Sequence, residues 1–190
     1  PNHTGNAGTP SDQPTFSGGG TVILSAQMLG NSRLLTGSMP VQYGNALGGI
    51  MDMRLRNGAS DRSRFTAQAG LIGIDLSTEG PFAKGKRASY LVNYRYSTLG
   101  LLSTMGVDLG DEVITFQDLA FNISTPLGKR GALSVFGMAG VSSNNFDALT
   151  DTAEWEYDKD DRTIDYAARM GAVGMSLTLS VGPRAHWRTS

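Results

Sequence analysis

The sequence predicts a mainly β protein, with strands that form part of a transmembrane antiparallel β-barrel preceded by a small α/β unit. The first observation is that apolar and polar residues alternate with a period of two in successive segments after Gly58. The second is that several segments span about 11 to 13 residues, whereas soluble strands usually have 5 or 6 and about 10 tilted residues cross an outer membrane. The third is that, after a short loop at 70–73, short and long connections alternate, as they do in outer-membrane barrels.

The first part of the chain predicts loops and short elements. Residues 1–20 are rich in Gly, Ser, Thr, Asn and Pro, a composition typical of a flexible segment. Their run of three glycines lacks the Gly-Lys-Ser/Thr ending of a phosphate loop. Residues 21–24 then predict a strand, and 25–29 a single helical turn with Ser25 as its N-cap. Residues 33–37 predict another short strand.

The stretch 40–58 combines two turn signals with a short alternating strand. Tyr43-Gly44-Asn45 predicts a turn, because Gly and Asn tolerate positive φ. Gly48 and Gly49 allow a close approach of two backbones or a sharp bend. Residues 50–56 alternate with a period of two, which predicts a strand that ends at Asn57-Gly58.

Seven strands are predicted after the linker 59–64. The alternation is sharpest in the third, where four bulky residues share one side, and in the sixth, where small and polar residues occupy one side and apolar residues the other. The apolar residues of the sixth strand are Val173, Met175, Leu177, Leu179 and Val181. The four residues of the third strand are Tyr90, Val92, Tyr94 and Tyr96. The predicted strands are 65–69, 74–78, 89–97, 114–124, 132–143, 169–181 and an incomplete one at 184–190.

Several motifs occur together in an order that resembles the end of the plug domain of a TonB-dependent outer-membrane transporter of the Bacteroidetes type. The motif at 40–58 is a Pro, then Tyr-Gly-Asn-Ala, Gly-Gly and a strand that ends in Arg-Asn-Gly. It is preceded by Ser-Arg-Leu-Leu-Thr-Gly-Ser-Met at 32–39. It is followed by Gly-Pro-Phe at 80–82 and by Leu-Val-Asn-Tyr-Arg-Tyr-Ser at 91–97. The resemblance covers the chain from about residue 17 onward.

The resemblance implies a division of the chain and a function. Residues 1–20 would be a flexible plug loop, 21–58 the C-terminal part of the plug, and 59–190 the first seven or so strands of the barrel. The implied activity is energised uptake of a large nutrient, such as an oligosaccharide, a peptide or a metal chelate, across the outer membrane of a Gram-negative cell. The residues of the structural plug motif would be Pro40, Tyr43, Gly44, Gly48 and Gly49.

The same resemblance implies the partners. They are outer-membrane lipid, the TonB complex acting through an upstream region outside this chain, and a surface lipoprotein as a further candidate; no cofactor is implied. Known single-chain bacterial barrels begin at about 8 strands and plugged transporters have about 22. Seven strands do not close such a barrel, so we expect the chain to be a segment of a longer transporter.

Composition argues against several other classes of function. The formal net charge of −1 is not that of a nucleic-acid-binding protein. The absence of Cys excludes thiolate metal sites, and His3 and His186 stand alone without neighbouring metal ligands. No Ser-His-Asp signature or Gly-x-Ser-x-Gly motif is present, so we do not expect an enzyme.

A strongly acidic loop spans 147–165. Its carboxylates could hold Ca²⁺, but the spacing does not match an EF-hand, and a solvated extracellular loop is the favoured interpretation. Trp155 and Tyr157 in this loop are candidates for stacking on a ligand, with packing as the alternative. The acidic residues are Asp147, Asp151, Glu154, Glu156, Asp158, Asp160, Asp161 and Asp165.

A second class of protein fits the alternation as well. A soluble β-sandwich that serves in binding or adhesion would use the tyrosine face of the third predicted strand as its core or as a ligand platform. Spacing alone does not distinguish an aromatic face that is buried by a second sheet from one that meets lipid.

Overall fold

The computed structural model describes residues 23–37, 41, 43, 48–70, 73–83, 85, 87–99, 102, 105, 106, 112–155, 160–182 and 185–190. Within these ranges the protein is mainly β, with two single 3-10 turns at Ala26–Met28 and Thr152–Glu154. The strands are β1 (Arg33–Leu35), β2 (Ile50–Asp52), β3 (Arg64–Ala69), β4 (Gly73–Pro81), β5 (Ser89–Ser97), β6 (Glu112–Leu127), β7 (Gly131–Phe146), β8 (Ile164–Ser180) and β9 (His186–Thr189).

Strands β3 to β9 form one antiparallel sheet in which the order of the strands is their order in the chain. The prediction of seven successive strands is confirmed for the described residues, while β1 and β2 form a separate antiparallel pair. Strands β6, β7 and β8 have 16, 16 and 17 residues and are longer than predicted. They are longer because backbone pairing continues into polar strand ends, where apolar alternation no longer marks a strand.

The register places one kind of residue on each side of the seven-stranded sheet. We call the side that carries Tyr94, Leu119, Ala139 and Gly171 the apolar face, since these residues lie directly opposite one another on β5, β6, β7 and β8. The other side, the polar face, carries Asp75, Ser77 and Glu79 of β4, Asn93 and Arg95 of β5, and Asp118 and Asn122 of β6. The alternation predicted for β5, β6 and β8 is therefore confirmed.

The described residues between 23 and 59, which we call the N-terminal unit, pack on the polar face. Ile23, Leu24 and Met28 are buried in one cluster with Leu91 of β5 and Ala120 of β6. Ser25 caps the 3-10 turn as predicted, because its side chain accepts a hydrogen bond from the backbone N–H of Gln27 at 3.1 Å. This small apolar cluster fixes the N-terminal unit over the middle of β5 and β6.

One strand prediction in the N-terminal unit is wrong, and another is confirmed only in part. Residues 23 and 24 form a bend, since both Ile23 and Leu24 are buried, and a flat strand would turn one of them away from the core. The strand predicted over 50–56 ends at Asp52, after which Leu55 makes an isolated bridge to Leu29.

Large apolar side chains are exposed on the apolar face. Val173 is 77% exposed and Phe65 69%, which is far from the burial of a soluble core. Among the described residues, no strand of another sheet covers this face. Also exposed there are Ile74, Tyr94, Leu119, Val141, Met175 and Trp187.

No helix in the described ranges is long and apolar enough to cross a membrane.

Candidate functional site

Hydrogen bonds to two carboxylates of β4 hold the N-terminal unit against the polar face. At the first, the Ser25 hydroxyl and the Asn93 amide each donate to the Asp75 carboxylate. The Asn93 amide also donates to the Leu76 carbonyl at 3.2 Å. Ser25 and Asn93 are buried, so these bonds form where water does not compete strongly. They tie the 3-10 turn to β4 and β5.

The second carboxylate is that of Glu79. Arg56 Nη1 donates to Glu79 Oε2 at 2.6 Å, and the backbone N–H of Ala59 donates to the same oxygen at 2.8 Å. Arg56 Nε also donates to the Gln27 carbonyl at 2.6 Å, which joins the two segments of the N-terminal unit. Asn122 adds a third link, donating to the Arg56 carbonyl at 2.8 Å. Glu79 thus accepts hydrogen bonds from Arg56 and from Ala59, three residues apart in the segment that leads to β3.

The pairing of β4 places Asp75 and Glu79 on the same polar face. The sequence did not indicate their partners. Each carboxylate accepts hydrogen bonds from the N-terminal unit, so both attach the unit to the sheet.

Gly58 lies directly over the backbone of β5. A Cβ atom at this position would be 1.9 Å from the Tyr90 carbonyl oxygen and 2.5 Å from the carbonyl carbon. Both are backbone atoms of a paired strand and cannot move aside easily. Only glycine lets the chain pass this closely on its way from Arg56 to the Ala59 amide that binds Glu79.

Removing the Arg56 guanidinium should loosen the N-terminal unit. The Glu79 side chain is 10% exposed in the structure. The substitution Arg56→Met removes the ion-pair partner of this nearly buried carboxylate. We expect the opening free energy of the unit to fall by about 2 kcal/mol, since a partly buried charged hydrogen bond is lost. Hydrogen exchange at the Ala59 amide, which is bonded to Glu79, should become roughly 30-fold faster.

Arg54→Met is the matched control for that prediction. The Arg54–Asp52 ion pair is 3.0 Å long, but the Arg54 side chain is 55% exposed. Such pairs contribute about 0 to 1 kcal/mol, so exchange at the Ala59 amide should change little. Equal effects of the two substitutions would show that Glu79 does not anchor the unit.

A buried ion pair stiffens the polar face beside these contacts. Arg95 Nε and Nη2 donate to the two carboxylate oxygens of Asp118 at 2.9 and 2.7 Å, from β5 to β6. The Asp118 side chain is fully buried, and the Arg95 guanidinium lies 5.6 Å from the centre of the Phe116 ring. This bidentate geometry fixes the two side chains in one arrangement.

The connection to β3 carries exposed charges. Asp61 and Arg64 form an ion pair at 3.0 Å. The pKa of Asp61 is held below its ordinary value, first by a hydrogen bond from its own backbone N–H and, against the opposing effect of desolvation, also by the Arg64 side chain. Because both groups are exposed, the pair adds little to stability.

A cavity of about 690 Å³ lies between the N-terminal unit and the polar face of β6 to β9. Its wall combines apolar side chains with hydroxyl, amide and guanidinium groups, a lining that can hold a polar solute or water. The lining residues are Leu24, Tyr43, Asp52, Met53, Arg54, Leu55, Asn57, Asn122, Ser134, Phe136, Met138, Ser176 and Arg188.

The residues of the predicted plug motif are only partly described. Tyr43 is half-buried and lines the cavity. Gly49 precedes β2, and a Cβ atom there would be 3.3 Å from the Leu35 carbonyl oxygen, whereas one on Gly48 would meet nothing within 4 Å. Pro40 and Gly44 lie outside the described residues, as does the whole segment 1–20.

The acidic loop is described up to Trp155 and again from Asp160. Trp155 is 45% exposed, and its Nε1 donates to the Leu149 carbonyl at 3.0 Å, which holds the indole on the loop. Tyr157 lies outside the described residues. In the described part of the chain, no three His, Asp or Glu side chains are grouped to hold a metal ion. His186 Nδ1 is 3.1 Å from the Ser180 hydroxyl.

Comparison with protein-family models, with curated proteins and with solved structures gives no match to this chain.

Proposed function

We propose that the chain is a segment of a TonB-dependent outer-membrane transporter, in which residues 21–58 belong to the plug and β3 to β9 to the barrel wall. The observation that carries the proposal is the division of the sheet into two unlike faces. The N-terminal unit packs on the polar face, and the apolar face is left exposed. A soluble sandwich does the reverse, burying its apolar faces against each other.

The height of the apolar face supports contact with lipid. On β8 it extends from Leu179 to Arg169, a distance of ten residue-to-residue steps along the strand. At about 3.4 Å per residue this is about 34 Å, or about 26 Å along the membrane normal at a strand tilt of about 40°. Outer-membrane barrels present an apolar band of about 25 Å.

The contacts of the N-terminal unit support a plug that can be displaced. Its apolar cluster with the sheet is small, and the other links are polar, such as Arg56 with Glu79 and Ser25 with Asp75. Water can replace polar links of this kind when the unit moves, so displacement has a modest cost compared with unfolding the sheet. In the proposed mechanism, force from the TonB complex separates these links and opens a path for a large nutrient along the polar face.

Environment-sensitive labels on alternate residues of β8 test the proposal. The chain has no Cys, so one introduced Cys gives a single labelling site. In the intact gene product that contains this chain, placed in vesicles, a fluorophore at Val173→Cys or Met175→Cys should be quenched by spin-labelled lipid. The same fluorophore at Ala172→Cys or Ser176→Cys, on the polar face, should not be. Absence of quenching at both positions would favour the soluble β-sandwich instead, and equal quenching on both faces would contradict a barrel wall with one face to lipid.

A further inference from the structure

Arg169 is the one charged residue on a large part of the apolar face. This part extends from the short turn after β8 to the row of residues that contains Arg169, and the statement covers its described residues. This row runs directly across four strands, from Tyr96 through Gln117 and Val141 to Arg169. Arg169 is exposed, and no carboxylate of a described residue lies within ion-pair distance of it. Under the proposed function this face lies against lipid, so a cation without a carboxylate among the described residues takes its partner from outside the sheet.

Arg169 lies at one end of a shallow groove on the apolar face. The groove has a volume of about 380 Å³. Ala139 and Gly171 form its floor, and their small size makes the depression, while Leu119 and Val141 supply apolar walls. The Tyr94 hydroxyl donates to the Gln117 side-chain oxygen at 3.2 Å at the same end as Arg169. Asp118 also lines the groove, but its buried carboxylate belongs to the pair with Arg95.

The row with Arg169 marks the border of the apolar face. Beyond it, towards the long connections, Thr115, Ser143 and Asn145 lie on the same side of the sheet. Asp165 lies four residues before Arg169 in β8, towards the long connection and about 13 Å away. Under the proposed function, this border is where the headgroups of the outer leaflet meet the protein.

We infer that this groove binds a phosphorylated lipid of the outer leaflet, with its phosphate on Arg169. The inference rests on the proposed function, since it places the groove against lipid. Guanidinium groups bind phosphate through two parallel hydrogen bonds, and the Tyr94 and Gln117 side chains add polar contacts for a sugar or glycerol headgroup. An acyl chain then lies along Leu119, Ala139 and Gly171. This contact removes the surface of the acyl chain and the apolar surface of the groove from water.

Binding of lipid A to the purified intact gene product in detergent tests the inference, with native mass spectrometry as the readout. The probes are diphosphoryl lipid A and the same lipid after removal of its phosphates. We expect Arg169→Gln to weaken binding of the phosphorylated lipid about tenfold, as for the loss of one charge-assisted contact. The difference between the wild type and the variant should vanish with the dephosphorylated lipid.

Two further variants distinguish the contribution of the headgroup to lipid binding from that of the acyl chain. Arg162→Gln is the control, because Arg162 is exposed and pairs with Asp161 at 2.9 Å outside the apolar face, and it should bind lipid A like the wild type. Gly171→Leu should weaken the binding of both lipids, because the leucine side chain fills the groove. The sheet can accept this side chain, since a Cβ atom on Gly171 would meet only the Met138 carbonyl oxygen, at 3.7 Å.

Three results would overturn the inference. They are equal binding by Arg169→Gln and the wild type, no preference for the phosphorylated lipid, and displacement of the lipid by excess inorganic phosphate, which would make a soluble anion the occupant. If labels at Val173→Cys are quenched by lipid while Arg169→Gln binds normally, the inference fails and the proposed function stands. If the labels are not quenched, the proposed function fails first.

Discussion

Gly58→Ala should release the N-terminal unit from the sheet. The added methyl group would lie 1.9 Å from the Tyr90 carbonyl oxygen, a distance that no pair of such atoms occupies. The paired β5 strand cannot move away, so the segment between Arg56 and Ala59 has to lift. Forced overpacking of this kind costs about 1 to 3 kcal/mol or more, and here it also breaks the bond from Ala59 to Glu79.

Hydrogen exchange distinguishes release of the unit from its unfolding. The Ala59 amide, bonded to Glu79, should lose protection by roughly 30-fold or more in Gly58→Ala. The Gly30 amide, bonded to Arg54 within the unit at 2.7 Å, should lose much less.

Gly48→Ala is the control, because a Cβ atom on Gly48 meets nothing within 4 Å and its φ is not positive. If both alanine variants exchange alike, the close passage over Tyr90 does not hold the unit in place.

The faces of the strands were predictable because alternation is a local property. In β5, Tyr90, Val92 and Tyr94 stand two residues apart and therefore project to one side of any strand they form. The same argument fixed the faces of β8, from Val173 to Leu179. The ends of the long strands were not predictable, since polar residues such as Asn144 and Asn145 continue the pairing without an apolar signal.

The candidate site depends on contacts between residues far apart in the chain. Ser25 and Asp75 are 50 positions apart, and Arg56 and Glu79 are 23 apart. Their meeting depends on how the N-terminal unit sits on the sheet, which no local pattern encodes. Ser25 was identified as a helix cap, and its second role towards Asp75 carried no sequence signal. Gly58 was predicted to end a strand at a turn, but the strand ends at Asp52 and residues 57 and 58 form no turn; the closeness of Tyr90 was not visible in the sequence.

Val173→Lys gives the sharpest distinction between lipid and water on the apolar face. Val173 is 77% exposed and lies near the middle of the apolar span of β8. If that face meets water, an exposed lysine changes stability by less than about 0.5 kcal/mol. If it meets the bilayer core, burying the ammonium group costs about 2 to 4 kcal/mol. Under the proposed function we expect the larger loss, measured as a lower urea midpoint for refolding of the intact gene product into vesicles.

Asn145→Lys controls for the added charge. Asn145 lies on the same side of the sheet and is exposed, but it is beyond the border formed by Arg169, where Ser143 and Asp165 also lie. A lysine there stays hydrated, so the urea midpoint should match that of the wild type. Val173→Lys and Asn145→Lys proteins of equal stability would mean that the apolar face does not contact lipid. A loss confined to Val173→Lys would also place the border of the bilayer between the two positions, at the level where Arg169 can reach a headgroup.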